Sequence, residues 1–368
     1  MSIEFAEKIR RLPTYPTAGG YALGDEYAML ASNEAPYGPP SGVHEAVKRA
    51  MRNINRYPDP SNTRLRSALA ARYDYAPERI AIGSGSCDIL LSAAEALLEP
   101  GAEIVYAWPS FSVYPHMAAA TGARAIRVPL NAEHAHDLDA MLAEITVATR
   151  LVIVCNPNNP TSTALPLDEI TAFVERVPRN VCVLIDEAYC EFNVLDDPDA
   201  SLELVRRHTN VVLLRTFSKV YGLAGLRCGY ALCGDERFRV AVEQVRQPFF
   251  CNALAQAAAE EALKHQDEIT KRVEQTIAER IGLEEELRGM GLQVADAQAN
   301  FLWHSLSANG SGDLDAEAEA EKAIIDGLAE RKVLIRSGNA LGRAGWARTT
   351  IGTPSENRRF LDALRELV

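Results

Sequence analysis

No two cysteines stand at C-x-x-C spacing: the seven (Cys87, Cys155, Cys182, Cys190, Cys228, Cys233 and Cys251) are odd in number and widely spread. This argues against a disulfide scaffold and a cysteine-based metal site, and thiols in runs such as Val181-Cys182-Val183 read as reduced core residues. Basic residues are in deficit. With 38 Lys and Arg against 50 acids, a net charge of −12 and no basic stripe, a nucleic-acid partner is not expected. Long apolar runs are missing too, and residues 1–30 mix Glu4, Glu7, Lys8, Arg10 and Arg11 with few apolar side chains. Neither a membrane span nor a signal-peptide core is expected, and the protein reads as cytoplasmic. Only His134 and His136 lie close together among the histidines, and without further ligands they read as a solvated loop rather than a metal site. There is no internal repeat and no G-x-x-x-x-G-K-[ST] loop.

What is present fits a two-domain globular chain: 368 residues, 47% hydrophobic and 24% charged. Residues 1–40, rich in Pro, Gly and Tyr, read as an extended arm. From 41 to 245, short β-type runs (Arg79–Ile82, Glu103–Tyr106, Leu151–Val154, Val181–Ile185, Val211–Leu214) alternate with helical stretches. That alternation predicts an α/β domain with a mostly parallel sheet covered on both faces. From 246 to 368 long helices come first, with Ile269, Val273, Ile277 and Ile281 spaced by four, followed by β-type runs at 300–303, 332–335 and 347–351 and a last helix. A smaller α+β domain is expected there. Residues 305–321 read as a loop running into a polar-faced helix.

Four segments could carry chemistry, each at the end of an apolar run. In Arg215-Thr-Phe-Ser-Lys219 a lysine follows a buried strand, where desolvation can leave its amine neutral and nucleophilic. Thr216, Ser218 and the nearby Arg227 could hold a phosphate beside it, although Ser-Lys-Val also fits a surface lysine. Asp186 ends Val183-Leu-Ile-Asp-Glu-Ala-Tyr189, where ligands gather beyond the carboxyl ends of parallel strands. A carboxylate there can keep a cofactor's pyridinium nitrogen protonated, or hold a metal. Asn156-Pro-Asn-Asn159-Pro160 projects amides above the sheet or simply turns. The turn Gly83-Ser-Gly85-Ser86-Cys87-Asp88 offers backbone N–H groups at a helix start to a phosphate. A dinucleotide reading fails there, because Asp88 stands where a third glycine belongs and Glu103 precedes the next strand instead of ending it.

Together and in this order, these segments resemble the fold-type I, class I/II aminotransferases that use pyridoxal 5'-phosphate, over nearly the whole chain. Met29-Leu-Ala-Ser-Asn33-Glu34, Asn55-Arg-Tyr57-Pro-Asp, Arg215–Lys219 and Thr349–Pro354 are most similar to the histidinol-phosphate aminotransferases and the related aromatic amino acid aminotransferases. The resemblance implies that Lys219 carries the cofactor as a Schiff base and moves the substrate's proton. It also implies that Asp186 pairs with the pyridinium nitrogen and that Tyr189 and Asn159 bond the phenolic oxygen. Gly85, Ser86, Cys87, Thr216, Ser218 and Arg227 would hold the phosphate, with Tyr57 reaching it from a second subunit, which implies a homodimer. Phe111 would stack on the ring, Arg348 would fork onto the substrate carboxylate, and Arg336, Tyr15 and Asn33 would line the substrate pocket.

Three departures stand out: Cys87 replaces a frequent acid, Ser162 a usual Gly, and Ala35 a frequent Asn. Ping-pong transamination is expected, since a carboxylate held by Arg348 disfavours the related decarboxylases and lyases, and no appended DNA-binding segment suggests an idle regulator. Histidinol phosphate with 2-oxoglutarate is the foremost substrate reading, with phenylalanine or tyrosine as the alternative. The aromatics of Gln298–Trp303 and Arg246–Phe250 lean toward the latter.

Overall fold

The β-branched runs become strands, and their near-continuous apolar character follows from burial on both faces. The protein is described by a computed structural model covering residues 3–5, 7–12, 24, 26–307 and 313–368. In chain order its strands are β1 Ala28–Met29, β2 Ile80–Gly83, β3 Glu103–Trp108, β4 Arg124–Pro129, β5 Thr149–Cys155, β6 Cys182–Asp186, β7 Val211–Thr216, β8 Gly229–Cys233, β9 Phe301–Ser305, β10 Val333–Leu334, β11 Arg336–Ser337 and β12 Trp346–Thr350. Seven build the central sheet in the order β2-β8-β7-β6-β5-β3-β4. All neighbours are parallel except β8, which runs antiparallel to both β2 and β7. Alternate side chains feed two cores: Val105, Val152, Val154, Val183, Ile185 and Leu213 on one face, and Ile104, Tyr106, Leu151, Ile153, Leu184 and Leu214 on the other. Edge strand β4 was not legible as a strand, because Arg124, Arg127 and Pro129 stay exposed and break the apolar run.

A second sheet, β11-β12-β9, is antiparallel and packs with helices Gln266–Gly289, Leu314–Glu330 and Pro354–Arg365 around a third core. The arm joins this core: β1 pairs in parallel with β10, and Ala28 and Leu30 are buried in it. Helix Ala253–Ala262 packs instead into the large core through Ala255, Ala258, Ala259 and Ala262. The long helix that follows joins the two, with Ile269 buried in the large core and Leu283 and Leu287 in the small one.

One local expectation is corrected by packing. His136 does not sit in a solvated loop. It is buried, its Nε2 lies 3.2 Å from Asn158 Oδ1, and burial lowers its pKa to about 4, keeping the ring neutral. The polar-faced helix expected near residue 321 is present as Leu314–Glu330, and within it Glu321 is buried and accepts from the backbone N–H of Asn339 at 3.0 Å and Gly345 at 2.8 Å. All seven cysteines are free thiols. No helix among the described residues is long and apolar enough to cross a membrane.

Candidate active site

Parallel strands deliver their carboxyl ends to one edge of the central sheet, so Trp108, Cys155, Asp186 and Thr216 end their strands on the same side. Beyond Thr216 the chain turns sharply, because the Ser218 N–H donates to Thr216 Oγ1 at 3.0 Å. This turn presents Lys219, whose Nζ donates to the Ser32 carbonyl at 3.2 Å and lies 5.5 Å from the ring centre of Tyr189. Burial first, and then the positive charge of Arg348, lowers the Lys219 pKa to about 8. Near neutral pH a useful fraction of this amine is therefore unprotonated.

Asp186 is buried and accepts from Tyr114 Oη at 2.8 Å, with a longer 3.3 Å bond from the Ala188 N–H. Burial raises its pKa to about 6, against the pull of the Tyr114 bond. Tyr189, just past the acid pair Asp186 and Glu187, is held by Asn33, whose Nδ2 donates to its hydroxyl at 3.0 Å. Asn33 sits in the left-handed region at φ 55 and is itself fixed by Thr350, which takes its N–H at 2.9 Å. Asn159 Oδ1 accepts from Arg348 Nη1 at 2.5 Å, while Arg348 Nη2 donates to the Ala31 carbonyl at 2.6 Å and its guanidinium lies 5.5 Å from the Phe301 ring centre. Arg336 stands directly opposite Arg348 in the β11–β12 register, so both guanidinium groups leave the same face of that sheet.

The Gly-rich turn forms an anion cradle. Gly85 precedes helix Ser86–Leu97 at φ 79 and, as a glycine at the N-cap, brings no side chain to cap the N–H groups of that helix. A Cβ on Gly85 would lie 2.3 Å from Arg227 Nη2, so glycine is what lets the guanidinium rest against the turn. Arg227 is itself left-handed at φ 60 and donates through Nη1 to Ser218 Oγ at 3.3 Å and to the Ala224 carbonyl at 2.9 Å. Ser218 and Arg227 thus meet beside Gly85 and the start of helix Ser86–Leu97, a spot suited to a phosphate, while the Thr216 hydroxyl holds the adjoining turn. Cys87, in the first turn of the helix, is a neutral thiol whose pKa burial raises.

Not every expected residue joins this cluster. Tyr57 is 81% exposed and stacks on Phe249 at 4.3 Å and 16°. Tyr15 lies outside the described residues. Phe111 is half-buried and meets Tyr114 edge-on at 5.8 Å. Ser162 adopts φ 64, the conformation that makes glycine usual there, and its hydroxyl accepts the Ala299 N–H at 3.0 Å.

Two residues escaped the sequence reading. Arg215 is buried at the end of β7, paired with Glu187 at 2.8 Å and Asp199 at 2.9 Å. An arginine closing an apolar strand was the available signal, since a buried guanidinium demands acidic partners. Tyr114 offered less: only its place three residues after Phe111, in the first turn of helix Val113–Thr121.

Known proteins share this arrangement of elements. The family model for aminotransferases of class I and II matches residues 25–364. The chain is 42% identical over 364 residues to the aromatic amino acid aminotransferase of Mycolicibacterium smegmatis, with 98% of this chain and 95% of the relative covered. It is 43% identical over 340 residues to that of Thermobifida fusca, covering 92% and 89%. Among solved structures it is similar to the histidinol-phosphate aminotransferase from Sinorhizobium meliloti in complex with pyridoxal-5'-phosphate, with a TM-score of 0.86, 28% identity, and 100% and 98% of the two chains covered.

Proposed function

Since the chain belongs to the class I and II aminotransferases, and so is a transaminase of the fold-type I group with pyridoxal 5'-phosphate as cofactor, we propose that its amino donor is an aromatic amino acid, phenylalanine or tyrosine. A 2-oxo acid such as 2-oxoglutarate is the acceptor in this reading. The observation that carries it is the name shared by relatives 42% and 43% identical over nine-tenths or more of this chain, which favours the aromatic alternative over histidinol phosphate.

The residues present fit the cofactor. An uncapped helix start at Gly85 faced by Arg227, a buried acid at a strand end and a lysine brought to about pKa 8 match a phosphate, a ring nitrogen and an aldehyde in turn. When bound, pyridoxal phosphate supplies an aldehyde that exchanges amines and a ring that withdraws electrons from the substrate's α-carbon. Gly85, Ser86, Cys87, Thr216, Ser218 and Arg227 would hold its phosphate, Asp186 its ring nitrogen, Tyr189 and Asn159 its phenolic oxygen, and Phe111 would lie against its ring. Lys219 Nζ, as a neutral amine, would take the proton from the substrate α-carbon and return one in the acceptor half-reaction. Arg348 grips the α-carboxylate in a fork, which keeps that group from departing as carbon dioxide. Asn33 orients Tyr189, and Tyr15 and Arg336 line the side-chain pocket.

In this reading the chain divides into an arm (1–40), a large part (41–245) that holds the cofactor and a small part (246–368), whose first helix, Ala253–Ala262, packs on the core of the large part. Exposed Met51, Ile54 and Tyr57 support a homodimer in which Tyr57 serves the neighbouring site. Histidinol phosphate remains the second reading, favoured by the paired guanidinium groups of Arg336 and Arg348. A half-reaction screen decides between them by following the cofactor's visible band with phenylalanine, tyrosine, histidinol phosphate, aspartate and alanine. Fast conversion by phenylalanine and tyrosine is expected; conversion by histidinol phosphate alone would overturn the aromatic reading.

A further inference from the structure

We propose that Tyr114 is a positioning residue for transamination: by donating to Oδ2 of Asp186 it holds that carboxylate ionised and leaves Oδ1 for the ring nitrogen of the cofactor. The inference rests on the reading that Asp186 meets that nitrogen.

Tyr114 is fully buried in the first turn of helix Val113–Thr121, and its ring is fixed between Phe111 and Tyr106, each at 5.8 Å between centres. Its hydroxyl lies 2.8 Å from Asp186 Oδ2, whereas among the described residues Oδ1 takes the longer 3.3 Å contact from the Ala188 N–H. Burial pushes the Tyr114 phenol well above its ordinary range, so it stays a neutral donor at any pH the protein meets. An ionised carboxylate accepts that bond better than a protonated one, which makes the hydroxyl a direct influence on the charge of Asp186.

The other groups around Asp186 favour its ionised form less than Tyr114 does, or oppose it. Cys155, ending β5, and Cys87, in helix Ser86–Leu97, are thiols kept neutral by burial, and Glu187, next along the chain, adds negative charge. Lys219, beyond β7, supplies positive charge, but its own proton is loosely held. Against burial, the Tyr114 hydrogen bond is the largest influence favouring the ionised acid. A protonated Asp186 would have to give its proton to the ring nitrogen; the hydroxyl biases that shared proton toward nitrogen, where it makes the ring a better electron sink.

The test compares Tyr114→Phe, Asp186→Asn and the double variant. In cofactor-free protein, the infrared carbonyl band of protonated Asp186, assigned by its loss in Asp186→Asn, reports the titration directly. Tyr114→Phe is expected to move its midpoint up by about one pH unit or more. In the loaded enzyme, kcat should fall about tenfold with the donor KM within about twofold, and the acid limb of the kcat profile should move to higher pH. In the Asp186→Asn background the same change should alter kcat by less than about twofold. An unmoved midpoint, or an equal loss in both backgrounds, overturns the role of Tyr114. Near-normal kcat in Asp186→Asn alone would instead overturn the assignment of Asp186, whatever the midpoint does.

Discussion

Arg348 Nη1 lies 2.5 Å from Asn159 Oδ1, although 189 residues separate the two in sequence. One belongs to β12 of the small sheet and the other to the turn after β5 of the central sheet, so this bond ties the two sheets together at the site. The same guanidinium is the largest charge pressing on Lys219.

Arg348→Gln should therefore do two things. The KM for carboxylate-bearing donors should rise about 10- to 100-fold as the fork is lost. Lys219 should also hold its proton to higher pH. The rate at which cofactor-free protein captures pyridoxal phosphate, which in the wild type should climb as pH passes through about 8, should then climb at a higher pH. Stopped-flow absorbance at a series of pH values measures both the midpoint and its displacement.

Lys219→Ala should retain the cofactor non-covalently through the cradle of Gly85, Ser86, Ser218 and Arg227, yet lose turnover by roughly 10³-fold or more. Equilibrium dialysis should find the cofactor bound, and the visible band of the covalent form should be missing. Full activity in this variant would remove Lys219 from the mechanism.

Asp186 carries a stability cost that Asp186→Asn should expose. Its folded pKa of about 6 lies above the ordinary aspartate value, so its ionised form is disfavoured by folding. Stability is then fully present below about pH 4 and declines as pH rises through 6. Cofactor-free Asp186→Asn should be more stable than wild type at pH 8 by on the order of 1–3 kcal/mol, and the gap should close toward pH 4. Urea melts of both proteins at several pH values measure it.

Ser162 combines a left-handed backbone with a useful hydroxyl. Ser162→Gly relieves the backbone but strips the Ala299 N–H of its partner, and should cost about 1 kcal/mol. Ser162→Ala loses the bond and keeps the backbone penalty, so it should cost about 1 kcal/mol more. Thermal unfolding should rank wild type above Gly and Gly above Ala.

The sequence by itself determined the strand–helix alternation and the cofactor, and it placed Asp186 and Lys219 at or just beyond strand ends. Those signals are local: an apolar run, a turn, and Asp186 or Lys219 within a few residues of it. It did not determine edge strand β4, whose exposed arginines hide its pattern, or the burial of His136, since a histidine is placed by what packs over it. Tertiary structure alone decided the contacts between distant segments: Asn33 on Tyr189, Arg348 on Asn159 and Tyr114 on Asp186. Each joins residues 72 or more positions apart, and a hydrogen bond across such a separation leaves no periodicity to read. Lys219 could be recognised from its own segment, but the weakened hold on its proton comes from burial and from Arg348, which only folding brings near.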